Sequence, residues 1–487
     1  MARAQLCATV TAETTAELRT RRDEVVGADL VELRVDGVRD LDLEGALAGR
    51  RLPALVTCRP TWEGGRFDGA EEERRRVLER ALELGADWVD LEWRGGFEDV
   101  ISARRGRNIV LSSHDFTGMP ADLERRYVAM RATGAAVVKI AVHVQSGGDV
   151  VRLLRLGRAH SADRSVLLGM GSIGAPTRLL PDHFGSTWTY GGDRVAPGQV
   201  PVSDMIERYR FHETSSTSAI YGVVGSPIGH SLSPSMHNAG FDAAGLNAVY
   251  VPFEATDPED IFGLIEALNV TGLSVTAPFK ESLMPWLCTV DELGKRVGAI
   301  NTLRRSSEGW EGLNTDVPGF LAPLHRSGGV RGLRTTVLGA GGSARAVAVG
   351  LAMSGAIVTV CARRLDRAKA VADLVDGKVG TMPPERGSWD LLVNSTPVGT
   401  APTANVTPIG CSELSGGTTV YDLVYNPSPT RLLAEAAEVG CRTIGGLDML
   451  AEQAVRQFEW WLGSRPSYEL FRRVAEEALQ GREESQA

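Results

Sequence analysis

Short apolar runs recur through the first two hundred residues, each followed by a polar stretch long enough for a helix. The runs at 6–10, 30–35, 54–59, 88–92, 109–114, 136–141, 166–170 and 187–190 have the aliphatic character of buried strands. Between them, 71–84 and 123–133 repeat apolar positions at helical spacing. Strands alternating with helices predict a parallel sheet, and eight such units predict a (β/α)8 barrel, compact against the usual ~250 residues. A Ser/Thr-rich stretch at 213–218 reads as a linker. A new α/β pattern begins at 220–224, and a boundary near 327–332 precedes a strand–glycine–helix signature. Two final helices, 451–462 and 468–479, follow a Gly445-Gly446 break, and the polar tail 481–487 is expected to fray.

Composition narrows the class. The 487 residues suggest about three domains, at roughly 150 residues each. With 43% hydrophobic and 23% charged residues the chain is an ordinary globular one. A net charge of −9 gives no electrostatic footprint for nucleic acid and no polybasic segment for a membrane surface. No apolar run approaches the ~18 residues of a spanning helix, and no signal-peptide pattern precedes the first strand. Six scattered cysteines without a CxxC pair fit neither a disulfide framework nor a metal site. A reducing, cytoplasmic location is therefore expected, with no metal. Lysine is scarce: Lys139, Lys280, Lys295, Lys369 and Lys378 are the five among 52 basic residues. Codon bias toward arginine explains scarcity on a surface. A surviving lysine in an apolar strand points to chemistry that arginine cannot do.

Barrel enzymes carry their chemistry at the C-terminal ends of the strands. There Glu32 and Arg34 share one strand face, Asp90 and Glu92 another, strand three ends at Arg59 and strand five at His114. Lys139 lies between Val138 and Ile140. An amine of ordinary pKa ~10.4 is protonated at neutral pH and cannot attack a carbonyl. Burial beside Arg34 or Arg59 is expected to depress it and make a Schiff-base nucleophile. His114 is a candidate general acid–base, and Arg59 and Arg178 are candidate carboxylate ligands.

Val31-Glu32-Leu33-Arg34-Val35-Asp36, Ser113-His114-Asp115-Phe116, Val138-Lys139-Ile140-Ala141, Met170-Gly171 and Ala196-Pro197-Gly198-Gln199 together resemble type I 3-dehydroquinate dehydratase, in the family's order. The resemblance implies that Lys139 forms the imine, that His114 shuttles protons with help from Glu63, and that Glu32, Arg34, Arg59, Arg178 and Gln199 hold substrate hydroxyls and carboxylate. The family often has a serine two residues before Pro-Gly-Gln; Val195 stands there, and a weaker Michaelis constant is the expected consequence.

In the second half, the strand at 335–338 runs into Gly339-Ala340-Gly341-Gly342-Ser343-Ala344 and an Ala/Val-rich helix, the arrangement of a dinucleotide-binding fold. The next strand ends in Ala362-Arg363-Arg364, with arginines where an acidic residue would select NAD, so NADP is expected. Lys280 and Asp316 are a plausible proton-donor pair for a ketone receiving hydride. Ser231 and Ser233, the Thr276–Lys280 motif, Asn301, Asn314-Thr315-Asp316, the glycine loop, Asn394-Ser395-Thr396-Pro397, Tyr425-Asn426-Pro427 and the segment 445–453 resemble shikimate dehydrogenase in order. That resemblance implies carboxylate binding by Ser231 and Ser233, and ring-substituent binding by Thr276, Asn301, Asp316, Tyr425 and Gln453. Lys280 becomes the proton donor. Gly339, Ala340, Gly341, Gly342, Ser343, Arg363, Arg364, Leu423 and Gly446 become the NADP(H) contacts, with Gly446 at the nicotinamide. The family's usual Asn-Arg-Thr after the second strand is Ala362-Arg363-Arg364 here.

The expected architecture is a TIM barrel at 1–212, an α/β shikimate-binding domain at 219–326 plus 446–487, and a Rossmann-type NADP-binding domain at 327–445. The expected activities are dehydration of 3-dehydroquinate and NADPH-dependent reduction of 3-dehydroshikimate to shikimate, by a monomer or homodimer with small-molecule partners. Two rivals remain: quinate dehydrogenase with another imine-forming lyase, and an inactive ligand sensor. The sensor predicts loss of Lys139, His114, Lys280 or Asp316, and all four are present.

Overall fold

The computed structural model describes residues 3–192, 198–414 and 416–484, the last three by backbone alone. Val195, Ala196 and Pro197 lie outside the described residues. By compactness these residues form two units. One runs through Ile220 and includes Pro227–Gly229 and Asn247–Val270; the other comprises Tyr221–Ser226, His230–Leu246 and the chain from Thr271 onward.

The first sheet contains β1 (Gln5–Thr11), β2 (Leu30–Arg34), β3 (Ala54–Thr57), β4 (Trp88–Glu92), β5 (Ile109–Asp115), β6 (Val137–His143), β7 (Ser165–Met170) and β8 (Trp188–Gly191). Its order is β7-β6-β5-β4-β3-β2-β1-β8, and β1 pairs in parallel with both β2 and β8. The ring closes between β7 and β8 through a bridge from Ser165 to Ser186, next to a 2.7 Å bond from Thr187 N to Ser165 O.

Strand period explains how an apolar interior comes to hold charge. Cys7, Leu30, Leu55, Val110 and Val137 belong to a buried core cluster. Two residues further along the same strands stand Thr9, Glu32, Thr57, Ser112 and Lys139. One inward-facing layer therefore plugs the barrel, and the next layer, toward the C-terminal ends, is polar.

The second sheet contains β9 (Ala219–Gly225), β10 (Ala248–Glu254), β11 (Gly272–Val275), β12 (Thr289–Val290), β13 (Thr302–Ser306) and β14 (Gly309–Leu313), in the order β10-β9-β11-β13-β14-β12. β11 is parallel to β9 and antiparallel to β13. The third contains β15 (Arg334–Leu338), β16 (Ile357–Cys361), β17 (Lys378–Val379), β18 (Leu391–Asn394), β19 (Thr419–Asp422) and β20 (Arg442–Ile444), in the order β17-β16-β15-β18-β19-β20. Its recorded pairings are all parallel. The order reverses between β15 and β18, the topological switch point where doubly wound sheets bind ligands. Among the described residues no helix is long and apolar enough to cross a membrane.

Candidate active sites

In the first unit a cavity of about 160 Å³ is lined by Thr9, Glu32, Arg34, Arg59, Glu63, His114, Lys139, Arg178, Tyr190 and Gln199 among others. Residues from seven strands or their loops thus meet at one end of the barrel, as the strand-end reading expects. Lys139 Nζ lies 3.2 Å from Asp90 Oδ2 and 3.8 Å from Glu32 Oε1, and 4.2 Å above the Tyr190 ring. Its recorded ion partners are carboxylates, whereas the sequence reading set it beside Arg34 or Arg59. Arg34 instead forms a bidentate pair with Asp36 at 2.8 and 2.9 Å.

Arg59 is the hub. It reaches Glu92 at 2.6 Å, Asp90 at 2.9 Å, Ser112 Oγ at 2.9 Å and Glu63 at 3.4 Å. Burial opposes ionisation of Asp90, but Arg59 and Lys139 outweigh it and hold the carboxyl well below its usual range. Behind Glu92 stands Arg74, fully buried, which donates to Glu92 and to Cys58 O. Arg59, Arg74, Lys139, Asp90 and Glu92 are therefore paired with one another, which buried charge requires. Asp90, Glu92 and Arg74 were given no role by sequence motifs. The visible signal for the first two is two acids alternating on an apolar strand.

His114 Nδ1 lies 3.1 Å from Glu63 Oε2. Burial, reinforced by Arg59 and Lys139, drives the imidazole well below 6.5, so it is neutral. Burial pushes the Glu63 carboxyl up to about 7 against the pull of Arg59. A neutral imidazole donating Nδ1–H to Glu63 leaves Nε2 as a base. Glu32 accepts from Thr9 at 3.0 Å and Thr57 at 2.9 Å, and Gln199 donates to Thr9 at 3.1 Å. Arg178 is buried in the wall, and burial draws its pKa down to about 10.

In the second unit, Lys280 Nζ meets Asp316 Oδ2 at 2.5 Å. Asn301 Nδ2 donates to Asp316 Oδ1 at 2.9 Å and to Gln453 Oε1 at 3.3 Å. Four sequence-predicted residues are thereby joined. They come from the one-turn helix Phe279–Ser282 after β11, the residue just before β13, the helix Asp316–Arg326 and the helix Gly446–Leu462. Thr276 follows β11 and donates its N–H to Val224 O at 2.9 Å. Ser231 Oγ accepts from Ser233 N at 3.2 Å in the turn that starts the helix Ser233–Ala243. Tyr425 follows β19. The Asn394-Ser395-Thr396 motif proves to be scaffolding: Asn394 donates to buried Asp422 at 2.8 Å and accepts from Thr396, tying the ends of β18 and β19.

The dinucleotide loop fits a phosphate. β15 leads through Gly339, with φ +113°, to the twelve-residue helix Gly342–Met353. A Cβ on Gly341 or Gly342 would meet open space, so a ligand can approach the backbone N–H groups at the helix start, alongside Ala340 and Ser343. Arg363 and Arg364 are exposed after β16, and Arg364 also pairs with Asp366 at 2.9 Å. A Cβ on Gly446 would fall 2.3 Å from Leu423 O, so only glycine permits the close approach of these two predicted contacts. Among the described residues no group of three His, Cys, Asp or Glu side chains is placed to hold a metal ion.

Residues 6–216 match the family model of type I 3-dehydroquinase. Residues 223–303 match the shikimate dehydrogenase substrate binding domain, and 446–476 the shikimate 5'-dehydrogenase C-terminal domain. The chain is 34% identical to the bifunctional 3-dehydroquinate dehydratase/shikimate dehydrogenase, chloroplastic, of Arabidopsis thaliana, over 96% of this chain and 83% of that protein. It is 42% identical to the shikimate dehydrogenase (NADP(+)) of Methanosarcina mazei, over 54% of this chain and 99% of the relative. Shikimate 5-dehydrogenase from Thermus thermophilus, solved with NADP(H) and shikimate, superposes with a TM-score of 0.51 at 34% identity, covering 54% of this chain and 100% of that one. With both halves accounted for in one continuous alignment, the chain belongs to the family of bifunctional 3-dehydroquinate dehydratase/shikimate dehydrogenases.

Proposed function

We propose that the barrel cavity dehydrates 3-dehydroquinate through an imine on Lys139, and that Lys280 and Asp316 deliver the proton when the resulting ketone is reduced. The observation that carries the reading is the convergence of Lys139, His114, Glu63 and Arg59 on one small cavity. The amine adds to the substrate ketone and water leaves, giving an iminium that can accept an electron pair. His114 Nε2 takes the proton from the carbon next to the iminium, and Glu63 stabilises the charged imidazole. The same imidazole returns that proton to the departing hydroxyl, and water releases product and amine. Glu32, Arg34, Arg178 and Gln199 orient the substrate, with Arg59 holding the acids that face Lys139.

In the second unit NADPH, when bound, supplies the hydride. Lys280 gives its proton to the ketone oxygen, and Asp316 holds the ammonium in place. Ser231, Ser233, Thr276, Asn301, Tyr425 and Gln453 orient the substrate. Gly339 to Ser343, Arg363, Arg364, Leu423 and Gly446 hold the dinucleotide, and the arginine pair supports NADP over NAD. The substrate-binding domain is read as 219–326 plus 446–487, around a dinucleotide domain at 327–445. Six free cysteines support a reducing compartment, for which we favour the cytoplasm.

The test is a coupled assay: 3-dehydroquinate and NADPH with the full chain should yield shikimate. Lys139→Met should abolish NADPH oxidation from dehydroquinate and spare it from dehydroshikimate. Lys280→Met should abolish NADPH oxidation from either substrate while dehydration continues, letting dehydroshikimate accumulate. Dehydroquinate-driven oxidation surviving in Lys139→Met overturns the assignment.

A further inference from the structure

The helix Gly446–Leu462 turns one face toward the second sheet, and Gln453, Gln457 and Trp461 stand on it at intervals of four. Gln453 reaches Asn301, and Trp461 Nε1 donates to Leu303 O at 2.9 Å. Gln457 sits between them, only 1% exposed, and belongs to no motif read from the sequence.

Its amide can face only one way. Gln457 Nε2 lies 3.1 Å from the main-chain oxygen of Asn301, a group that can only accept. The same nitrogen lies 3.1 Å from Thr302 Oγ1. On the other side, Oε1 accepts from Ser274 Oγ at 2.7 Å and faces His237 Nε2 at 3.3 Å. Burial draws His237 down to about 3, so the ring is neutral and donates to that oxygen through Nε2–H.

The consequence propagates. Thr302 Oγ1 receives a hydrogen from Gln457 and gives its own to Asn301 Oδ1 at 3.0 Å, the nearer of its two remaining contacts, with Thr315 Oγ1 at 3.4 Å. Asn301 Oδ1 also accepts from the main-chain Thr315 N–H at 2.7 Å. With its oxygen committed to donors, Asn301 presents Nδ2 to Asp316 Oδ1 at 2.9 Å. The other oxygen of Asp316 holds Lys280. Ser274, His237, Gln457, Thr302, Asn301 and Asp316 thus form one directed chain of donors and acceptors, buried for most of its length. Such a chain holds every member's rotamer and polarity.

We infer that Gln457 is a positioning residue for ketone reduction: by fixing the hydroxyl of Thr302 and the carbonyl of Asn301, it sets the Asn301 amide that steers Asp316 and Lys280. This rests on the assignment of Lys280 and Asp316 as the proton-donor pair. It also makes Thr302 important for its hydroxyl, not for its shape.

The full chain provides its own control, because dehydratase activity in the other unit reports concentration and integrity. Gln457→Leu should lower the dehydrogenase kcat about 10-fold or more, since misplacement of a reacting group by ~1 Å can cost ~10²-fold. Because that variant could fold poorly, Thr302→Val and Thr302→Ser form the decisive pair. A packing role predicts that valine, the isostere, is tolerated and serine is not. The inferred role predicts the opposite: Thr302→Ser keeps kcat within about 3-fold of the parent, Thr302→Val loses about 10-fold. In addition, Gln457→Leu combined with Thr302→Val should cost little more than either alone. Thr302→Val at full kcat, or strict additivity of the two changes, overturns the inference. Lys280→Met measured alongside separates the two claims: an active Lys280→Met removes the proton-donor reading itself, whereas an inactive one beside a fully active Thr302→Val removes only the role of Gln457.

Discussion

Replacing Glu63 by glutamine divides a cost in stability from a gain in catalysis. The carboxyl is nearly buried, with 6% of its side chain exposed, and burial carries it from 4.5 to about 7. At ~1.4 kcal/mol per pH unit, the ionised form then costs the folded barrel about 3 kcal/mol, after the attraction of Arg59 is included. The folded pKa is raised above the unfolded one. Its stabilising contribution is therefore complete below pH 4.5 and is lost as pH rises through 7. Glutamine cannot ionise, so Glu63→Gln should gain on the parent as pH rises, by up to about 3 kcal/mol between pH 5 and 8. The same change should lower the dehydratase kcat by about 10²-fold, because the amide cannot stabilise a charged His114. In the parent, the dehydratase rate should fall as pH drops through about 7, where Glu63 takes a proton. Urea unfolding read by pulse proteolysis of barrel peptides isolates this unit from the other. Parallel pH profiles of stability for parent and variant would refute the reasoning, as would an acid limb near the ordinary glutamate value.

Three further outcomes follow from the geometry. Arg74→Met should destabilise the barrel by about 3–5 kcal/mol, because Glu92 stays buried with one partner fewer; urea midpoints of the two units, taken separately, check it. Gly319→Ala should weaken shikimate binding and cost about 1–3 kcal/mol, since its Cβ would lie 2.9 Å from Gln453 N and press two site-bearing helices apart; titration with shikimate and a melting curve measure both. Arg363→Ser should reduce the preference for NADP over NAD by at least ~10-fold without altering kcat at saturating NADPH; unchanged cofactor preference would show that the exposed guanidinium takes no part.

Much of this molecule was legible in its sequence. The strand read at 88–92 is β4 to the residue, and the other seven barrel strands agree to within two residues at either end, because buried parallel strands are nearly continuous apolar runs bounded by polar helices. Scarcity of lysine drew attention to Lys139 and Lys280, but Lys295, Lys369 and Lys378 are equally rare, and the motifs around the two made the choice. What escaped notice depended on pairing across the chain. Arg74 sits in Glu-Glu-Glu-Arg-Arg-Arg, a run that reads as solvated surface, yet it is fully buried against Glu92. Helical periodicity marks which face points inward; it does not say that a charge waits there. The carboxylate surroundings of Lys139 were missed for the same reason: Asp90 precedes it by 49 positions and meets it only once the barrel closes. The hairpin of β13 and β14 carries Arg304 and Arg305 on an irregular pattern, so its strands were not foreseen. Gln457 carries no motif because its role lies wholly in three-dimensional hydrogen-bond polarity.

The central claim is that Lys139 is the amine that bonds to substrate. Borohydride reduction of the full chain during turnover of 3-dehydroquinate, followed by peptide mass mapping, tests it directly. The expected result is a substrate-derived adduct on the peptide containing Lys139, absent without dehydroquinate and absent from Lys139→Met. An unmodified Lys139 under turnover, with dehydration proceeding normally, would contradict it.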